Sequence, residues 1–587
     1  MSEAGEKRSS RRRIVKWSLL GAALLVVIGG IWLIVTGLLV RSQLQDVRAE
    51  VHQLRDEVAQ GQLAQARVTL ASLQTHADRA HTLSTGPAWA VASVVPWGGD
   101  PIDTVRGLAS DVDKLAHRTL PALLAARQQL DPTTLRRPDG SVDLAPIVRV
   151  APTLAAADSA VSGATKDVRS LPGSTWLSPV DSARSDILSA LEKIAGTVRS
   201  ADLGAHIVPP MLGVDGTKRY FVGFQNEAEA RGTGGLPGAF GILEVTHGKA
   251  KFERFEKDSF LSFLPTGLNF GPDFNDLYDG YDATSVYINS DASPHFPYAA
   301  QVWTAMWQKK TGQHLDGALS VDPTALSYLL GPTGPVTLSD GTVVDANNVV
   351  PMTQSTIYAR FPNSEQRKAY LVKIARAVSK HILDSHAATS SLVDAVGRAI
   401  GERRFMVWSA DPAVEADLLK TATSGAVPET KAPYASVWLT NAGGNKLDYY
   451  MTGSLKWQRT GCGSTRHVVA TISLTNNAPA SGLTPYVTNR SDIHDYPVRP
   501  GDARDFVSYA ATEGAGLDYV TLDGKRITIS AGAERGHPVY VVDLEIPRGT
   551  THTLVLHLSE PAGKGAPIVL QQPLVHSLAT TVSDAKC

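Results

Sequence analysis

Residues 220–245 read YFVGFQNEAEARGTGGLPGAFGILEV. The run Tyr220 to Phe224 is aromatic and apolar around Val222, so it reads as a strand, and Phe240 to Val245 reads as a second one. Between them lies a polar, glycine-rich segment, Gln225-Asn226-Glu227-Ala228-Glu229-Ala230-Arg231-Gly232-Thr233-Gly234-Gly235, placed at the end of the first strand. Glycines let a backbone approach an anion, and an arginine supplies a planar fork of donors. The same residues also suit a tight turn braced by a structural Glu–Arg pair.

Outward from this stretch the chain keeps mixing strands and helices. Residues 298–309 and 367–383 carry helical patterning, so 206–430 is expected to be an α/β domain. From 431 to 587 the pattern turns β. Val542, Leu544 and Ile546 alternate with Asp543 and Glu545, and Leu554, Leu556 and Leu558 alternate with Val555 and His557. Period-two runs between turn residues predict a C-terminal β-sandwich. Towards the N-terminus, 41–205 is expected to be a helical stalk or bundle. Leu44, Val47, Val51, Leu54 and Val58 alternate spacings of three and four, as do Val105, Leu108, Val112 and Leu115, and Ile187, Leu191, Ile194 and Val198. Ser178 and Pro179 suit the start of the last of these helices.

Residues 17–40 carry no charge. As a helix they reach about 36 Å, enough for a hydrocarbon core of about 30 Å. Lys7, Arg8, Arg11, Arg12, Arg13 and Lys16 precede them. Such a basic tail (1–16) stays in the cytoplasm, which sends everything after Arg41 outward. The run ends Leu38-Leu39-Val40-Arg41, without the small residues of a cleavage site, so the segment reads as a retained anchor in the cytoplasmic membrane. The whole is thus a multidomain chain: transmembrane helix, helical bundle, central α/β domain, β-sandwich.

At 587 residues the chain is too long for one core. Its net charge of -1 gives no sign of a nucleic-acid partner. Motifs such as H-E-x-x-H, G-x-S-x-G and a complete P-loop are absent from the sequence, and two cysteines cannot make a cysteine-only zinc site. An outward location permits a disulfide between Cys462 and Cys587; two unrelated thiols is the alternative. Among the histidines, His295 alone draws attention, against the ordinary reading of a core or surface residue.

The segment 225–238 resembles the Q-N-x-A-E-x-R-x-T-G-G-F-x-G hallmark of the family catalogued as domain of unknown function 4012. Gln225, Asn226, Ala228, Glu229, Arg231, Thr233, Gly234, Gly235 and Gly238 match, and Leu236 stands where Phe is usual. Ser293-Pro294-His295-Phe296-Pro297 resembles that family's S-P-D-F-P, with His295 in place of the acid. Asp316-Gly317, Val321-Asp322-Pro323, Leu329 to Val336 and Lys446-Leu447-Asp448-Tyr449-Tyr450 resemble later stretches of it. The order of features is also similar to the LytR-CpsA-Psr phosphotransferases, which move a glycopolymer from a polyprenyl pyrophosphate carrier to the cell wall. Here Thr233 and glycines follow Arg231 where that family has an acid, and Pro362 replaces a second arginine.

That likeness implies an anion site in which Arg231, Arg360, Arg367 and Lys368 grip a pyrophosphate, lined by Gln225, Asn226, Thr233, Gly234 and Gly235. Glu229 or Asp291 would act as a base or hold Mg²⁺. The partner expected on this reading is a polyprenyl-pyrophosphate-linked glycan or a cell-wall polymer. Two classes of function follow: an enzyme of cell-envelope glycopolymer assembly, or a non-catalytic envelope scaffold or glycan-binding protein.

Overall fold

The computed structural model describes residues 3–96 and 98–586, with side chains at 17, 20 and from 23 onward apart from 97, 132, 133 and 587. The side chains of the basic tail from Lys7 to Lys16, and Cys587, therefore lie outside the described residues. The chain divides into two compact units, Met1–Leu135 with Ala145–His206, and Arg136–Leu144 with Ile207–Cys587.

The first unit is helical. Helix α1 (Glu3–Ala59) holds the one helix among the described residues that is long and apolar enough to cross a membrane. Its residues beyond Val40 carry the three-and-four seam. Val47 and Leu54 are buried against Ala66, Leu70, Leu73 and Ala77 of α2 (Leu63–Ser84), with Val51 and Val58 packed beside them. The turn between the two helices is short and uses Gly61 at φ +73°, so the seam is the inner face of an antiparallel helix pair. Helix α3 (Pro87–Ser93) and helix α4 (Asp100–Lys114) follow. Two long helices, Ala145–Ser170 and Ser178–Met211, complete the bundle. The second begins at Ser178 with Pro179 in its first turn, as expected, and Leu191 packs with Leu108 and Val168.

The second unit contains a mixed sheet of order β3-β2-β1-β4-β5, formed by β1 (Lys218–Arg231), β2 (Gly234–Thr246), β3 (Lys249–Lys257), β4 (Gly317–Val321) and β5 (Phe405–Ser409). Strand β1 pairs antiparallel with β2 and parallel with β4. Successive side chains of a strand face opposite sides. Accordingly Phe221 belongs to one core, with Phe240, Tyr287, Trp303 and Trp307, while Val222 belongs to another, with Leu326, Leu330, Ile374 and Val378. Apolar cover on both faces is why β1 reads as a continuous apolar run rather than an alternating one.

Beyond residue 430 the chain forms a six-stranded and a five-stranded sheet. Val468, Ala470 and Ile472 of Thr465–Asn476, and Leu554, Leu556 and Leu558 of Thr551–Pro561, point into the same apolar cluster as Val437, Leu439, Val507, Tyr509, Val542 and Leu544 of the other sheet. The period-two runs therefore mark inward faces as read. The α/β region and these sheets fall in the same compact unit. Cys462 is disulfide-bonded; the only other cysteine in the sequence is Cys587.

Sequence and structure differ at the decisive stretch. The polar segment does not follow a strand; it is strand. β1 runs on to Arg231, Gly232 and Thr233 make a two-residue turn, and β2 starts at Gly234. The register slips between Asn226, paired with Leu236, and Ala230, paired with Gly235. Residues 227–229 thus bulge out of the ladder, which leaves the two glutamates free to turn inward. Polar residues conceal a strand from period-two reading when their partners are other buried polar groups.

Trp303 anchors the first core: it is fully buried, its ring lies over Phe221 at 5.5 Å, and its Nε1 donates to Ser290 Oγ at 2.7 Å. A Cβ added at Gly223 would come within 2.6 Å of the same ring. Trp303→Ala is expected to destabilise this unit by about 3–5 kcal/mol, read as a lower midpoint in its chemical denaturation. A loss under about 1 kcal/mol would refute the packing described.

Candidate functional site

The bulge in β1 delivers charge to the interior. Arg231 and Glu229 are each 6% exposed. Arg231 donates from Nη2 to Glu229 Oε1 at 3.3 Å, and from Nη1 to the carbonyls of Ala230 at 2.9 Å and Asn441 at 3.3 Å. The other oxygen of Glu229 takes Lys446, also buried. Asp448 accepts from the Ala230 backbone N–H at 2.6 Å and from Asn441 at 3.0 Å. Gln572 donates to the carbonyls of Arg231 and Leu439. Asn441 and Leu439 lie on a strand of the C-terminal sheets, Gln572 just past another, and Lys446 and Asp448 at the turn Leu447–Tyr450. The hallmark strand is therefore clamped to the β region through its charges and its backbone at once.

Proton placement follows from burial. Asp505 is fully buried, and neither of its oxygens has a hydrogen-bond partner. Burial first and the adjacent Asp448 second push its carboxyl well above the usual range. The neutral acid is thereby favoured at Asp505, and burial raises Asp448 in turn to about 6. Burial brings Lys446 down to about 8 and lowers Arg231 as well. With Asp505 neutral, two cations face two anions, the balance a dry site requires.

The remaining motif residues form neighbouring knots. Gln225 donates to Thr233 Oγ1 and, at 3.0 Å, to Asp291 Oδ2, which Thr233 also reaches at 3.2 Å. Burial raises Asp291 to about 7. Asn226 donates to the Tyr358 hydroxyl at 2.8 Å. Glu227 meets Gln354 and Arg404; Arg404 also holds Asp322 at 2.9 Å and the Leu574 carbonyl at 2.8 Å. His295 accepts from the Val427 N–H at 3.0 Å, and burial lowers its imidazole well below the usual value. The glycines have packing work. A Cβ on Gly232 would lie 2.1 Å from the Ala292 carbonyl, and one on Gly235 would lie 2.2 Å from the Asn226 carbonyl carbon.

Among the expected anion ligands, Arg231 and Arg367 are linked, Arg360 and Lys368 are not. Arg367 is 1% exposed, stacks 3.7 Å from the Tyr486 ring, and donates to the carbonyls of Phe361 and Pro362. Lys446 lies 5.5 Å from the same ring, so a path runs Arg367, Tyr486, Lys446, Glu229, Arg231. Arg360 pairs instead with Asp340 at 3.3 Å and lies over Tyr370, half exposed. Lys368 pairs with Asp258 at 2.8 Å. Both acids proposed for Mg²⁺ have other partners, and among the described residues no group of three or more His, Cys, Asp or Glu is arranged to hold a metal ion. Lys446, Asp448, Asp505, Gln572, Arg404 and Glu227 escaped the sequence reading as site residues. One signal was available: Asp505 occupies an inward position between Ala503 and Val507, where an acid is out of place.

Residues 215–358 match the family described as protein of unknown function (DUF4012). No curated protein and no solved structure matches the chain. The matched segment holds β1, β2 and β4 together with Asp291, His295, Asp322 and Tyr358, so the family's quoted hallmark coincides with the buried half of the clamp.

Two outcomes follow. Arg231→Ala should destabilise the unit by about 3–5 kcal/mol, because it strands buried acids; a variant as stable as the parent in denaturant titration would mean the guanidinium is not structural. Second, stability should fall between pH 6.5 and 8. Asp291 and Glu534, both held near 7 by burial, keep protons that the unfolded chain gave up near pH 4. The stability they contribute is complete below pH 4 and is lost as pH rises through 7, and the part lost between pH 6.5 and 8 is on the order of 1 kcal/mol per carboxyl. His295 acts in the opposite sense only below about 6.5, and Lys446 only above about 8. Asp291→Asn should flatten the slope; a stability that rises across this window would refute the assignment.

Proposed function

We propose that this protein is a single-pass, membrane-anchored protein of the cell envelope, with its bulk from about residue 41 outside the cytoplasm, and that it acts as a non-catalytic scaffold. The C-terminal sheets are read as a β-sandwich that serves interaction rather than chemistry. One observation carries the choice between scaffold and transferase: the guanidinium of Arg231, on which the transfer reading depends, is enclosed by Glu229 and carbonyls at 6% exposure. A pyrophosphate site needs arginine forks that reach the ligand. Arg360 and Lys368, the more accessible members of the set, are engaged by Asp340 and Asp258 and are not joined to Arg231.

The anchor is supported by the apolar exposure of α1, where Leu24, Leu25, Val26, Ile31, Ile34 and Leu38 are each more than half exposed. That much exposed apolar surface on one helix belongs in lipid. Orientation rests on the basic residues before Trp17.

Both halves of the proposal can be tested. A reporter fused after the last residue should be active only outside the cytoplasm; activity inside would overturn the topology. Polyprenyl-pyrophosphate binding by the purified full chain, if present at all, should be unchanged in Arg360→Ala and Lys368→Ala. A loss of tenfold or more, the cost of about 1.4 kcal/mol or one charge-assisted contact, would restore the LytR-CpsA-Psr-like transfer reading.

A further inference from the structure

The helical unit holds an apolar groove of about 940 Å³, near the upper end for small-molecule sites. One wall is the end of the apolar run itself: Gly30, Leu33, Gly37 and Val40. The others are α4, through Ile102 and Val105, and the start of helix Ser178–Met211 with the turn before it, through Trp176 and Ala183. Its geometry is held from inside. Trp89 is buried against α1, its Nε1 donates to Thr36 Oγ1 at 2.9 Å, and its ring reaches within 4.0 Å of a Cβ built on Gly37.

The depth of this groove follows from its wall. From Gly30 to Val40 a helix rises about 15 Å, half of a hydrocarbon core of about 30 Å. The loops beside it are dressed for that depth. Val94 is 78% exposed, Val91 69% and Trp176 64%, an apolar rim of the kind that sits in lipid or at its interface. At the upper end, immediately after the apolar run, stands Arg41, exposed and without an acidic partner among the described residues. Arg48, a further two turns up, is paired with Asp186. A hydrocarbon slot within the leaflet, topped by an unpaired guanidinium, matches a lipid whose chain lies in the slot and whose phosphate meets the cation.

We propose that this groove seats one anionic phospholipid of the leaflet on the Val40 side, chain between α1 and α4, headgroup at Arg41. The inference rests on the membrane reading above. It is tested with the full chain in nanodiscs that contain phosphatidylglycerol bearing a photoactivatable group in its acyl chain, with cross-linked peptides mapped by mass spectrometry. Labelling is expected on the α1 span and also on the peptides around Val105 and Ala183, and Ala183→Trp should lower the latter severalfold. Labels confined to the span, or unchanged in Ala183→Trp, would overturn the groove while leaving the anchor intact. No label on the span at all would instead sink the membrane reading. Equal labelling by a phosphatidylcholine probe would overturn the anionic headgroup.

Discussion

The ion network Arg231–Glu229–Lys446 sets the terms for the rest of the second unit. Two cations buried with acids tolerate one arrangement only, since any partner removed leaves a charge without water or counter-charge. Glu229 can reach Lys446 only because the ladder slips between Asn226 and Ala230, and the slip is possible only where Gly235 lets β2 lie against the Asn226 backbone. The bulge, the glycines, the turn and the clamp to the C-terminal sheets are one construction. Its protons belong to it too: without the one kept by Asp505, three anions would crowd the two cations.

This construction bears directly on function. A segment rich in arginine, glycine and amide side chains is chemically suited to hold a phosphate, and it is equally suited to hold another part of its own chain. The carbonyls of Ala230 and Asn441 and the carboxylate of Glu229 take the guanidinium that a phosphate would need. A guanidinium held by its own chain's carboxylate and carbonyls has little to offer a ligand and much to offer rigidity. The groove in the helical unit is of the opposite kind, with apolar walls and rim uncovered and an arginine unpaired, the features of a surface that meets something outside the protein.

Much of the architecture could be read from residues alone. The apolar run ending at Val40, the three-and-four seam from Leu44 to Val58, the start of a helix at Ser178 and the period-two strands around Val542 and Leu556 each report a local rule: hydrocarbon thickness, helical period, capping, pleat. Such rules act within a few residues, so sequence displays them directly. The strand from Gln225 to Arg231 broke its rule because its polar groups answer to residues far along the chain, among them Asp291, Tyr358, Asn441, Lys446 and Asp448.

Sequence by itself thus determined that this chain has one apolar helix long enough to cross a membrane, a helical region, a mixed α/β region and a β region, and it drew attention to the segment that matters most. What that segment does was decided only by the tertiary structure. A guanidinium's role depends on what faces it, and nothing in the string 225–235 states whether Arg231 will meet solvent, a ligand or Glu229. The same holds for Arg360 and Arg367, seven positions apart: one rests half exposed on Tyr370 against Asp340, the other is buried over Tyr486. Burial and counter-charge are properties of the packed chain, because they arise from groups that only folding brings together.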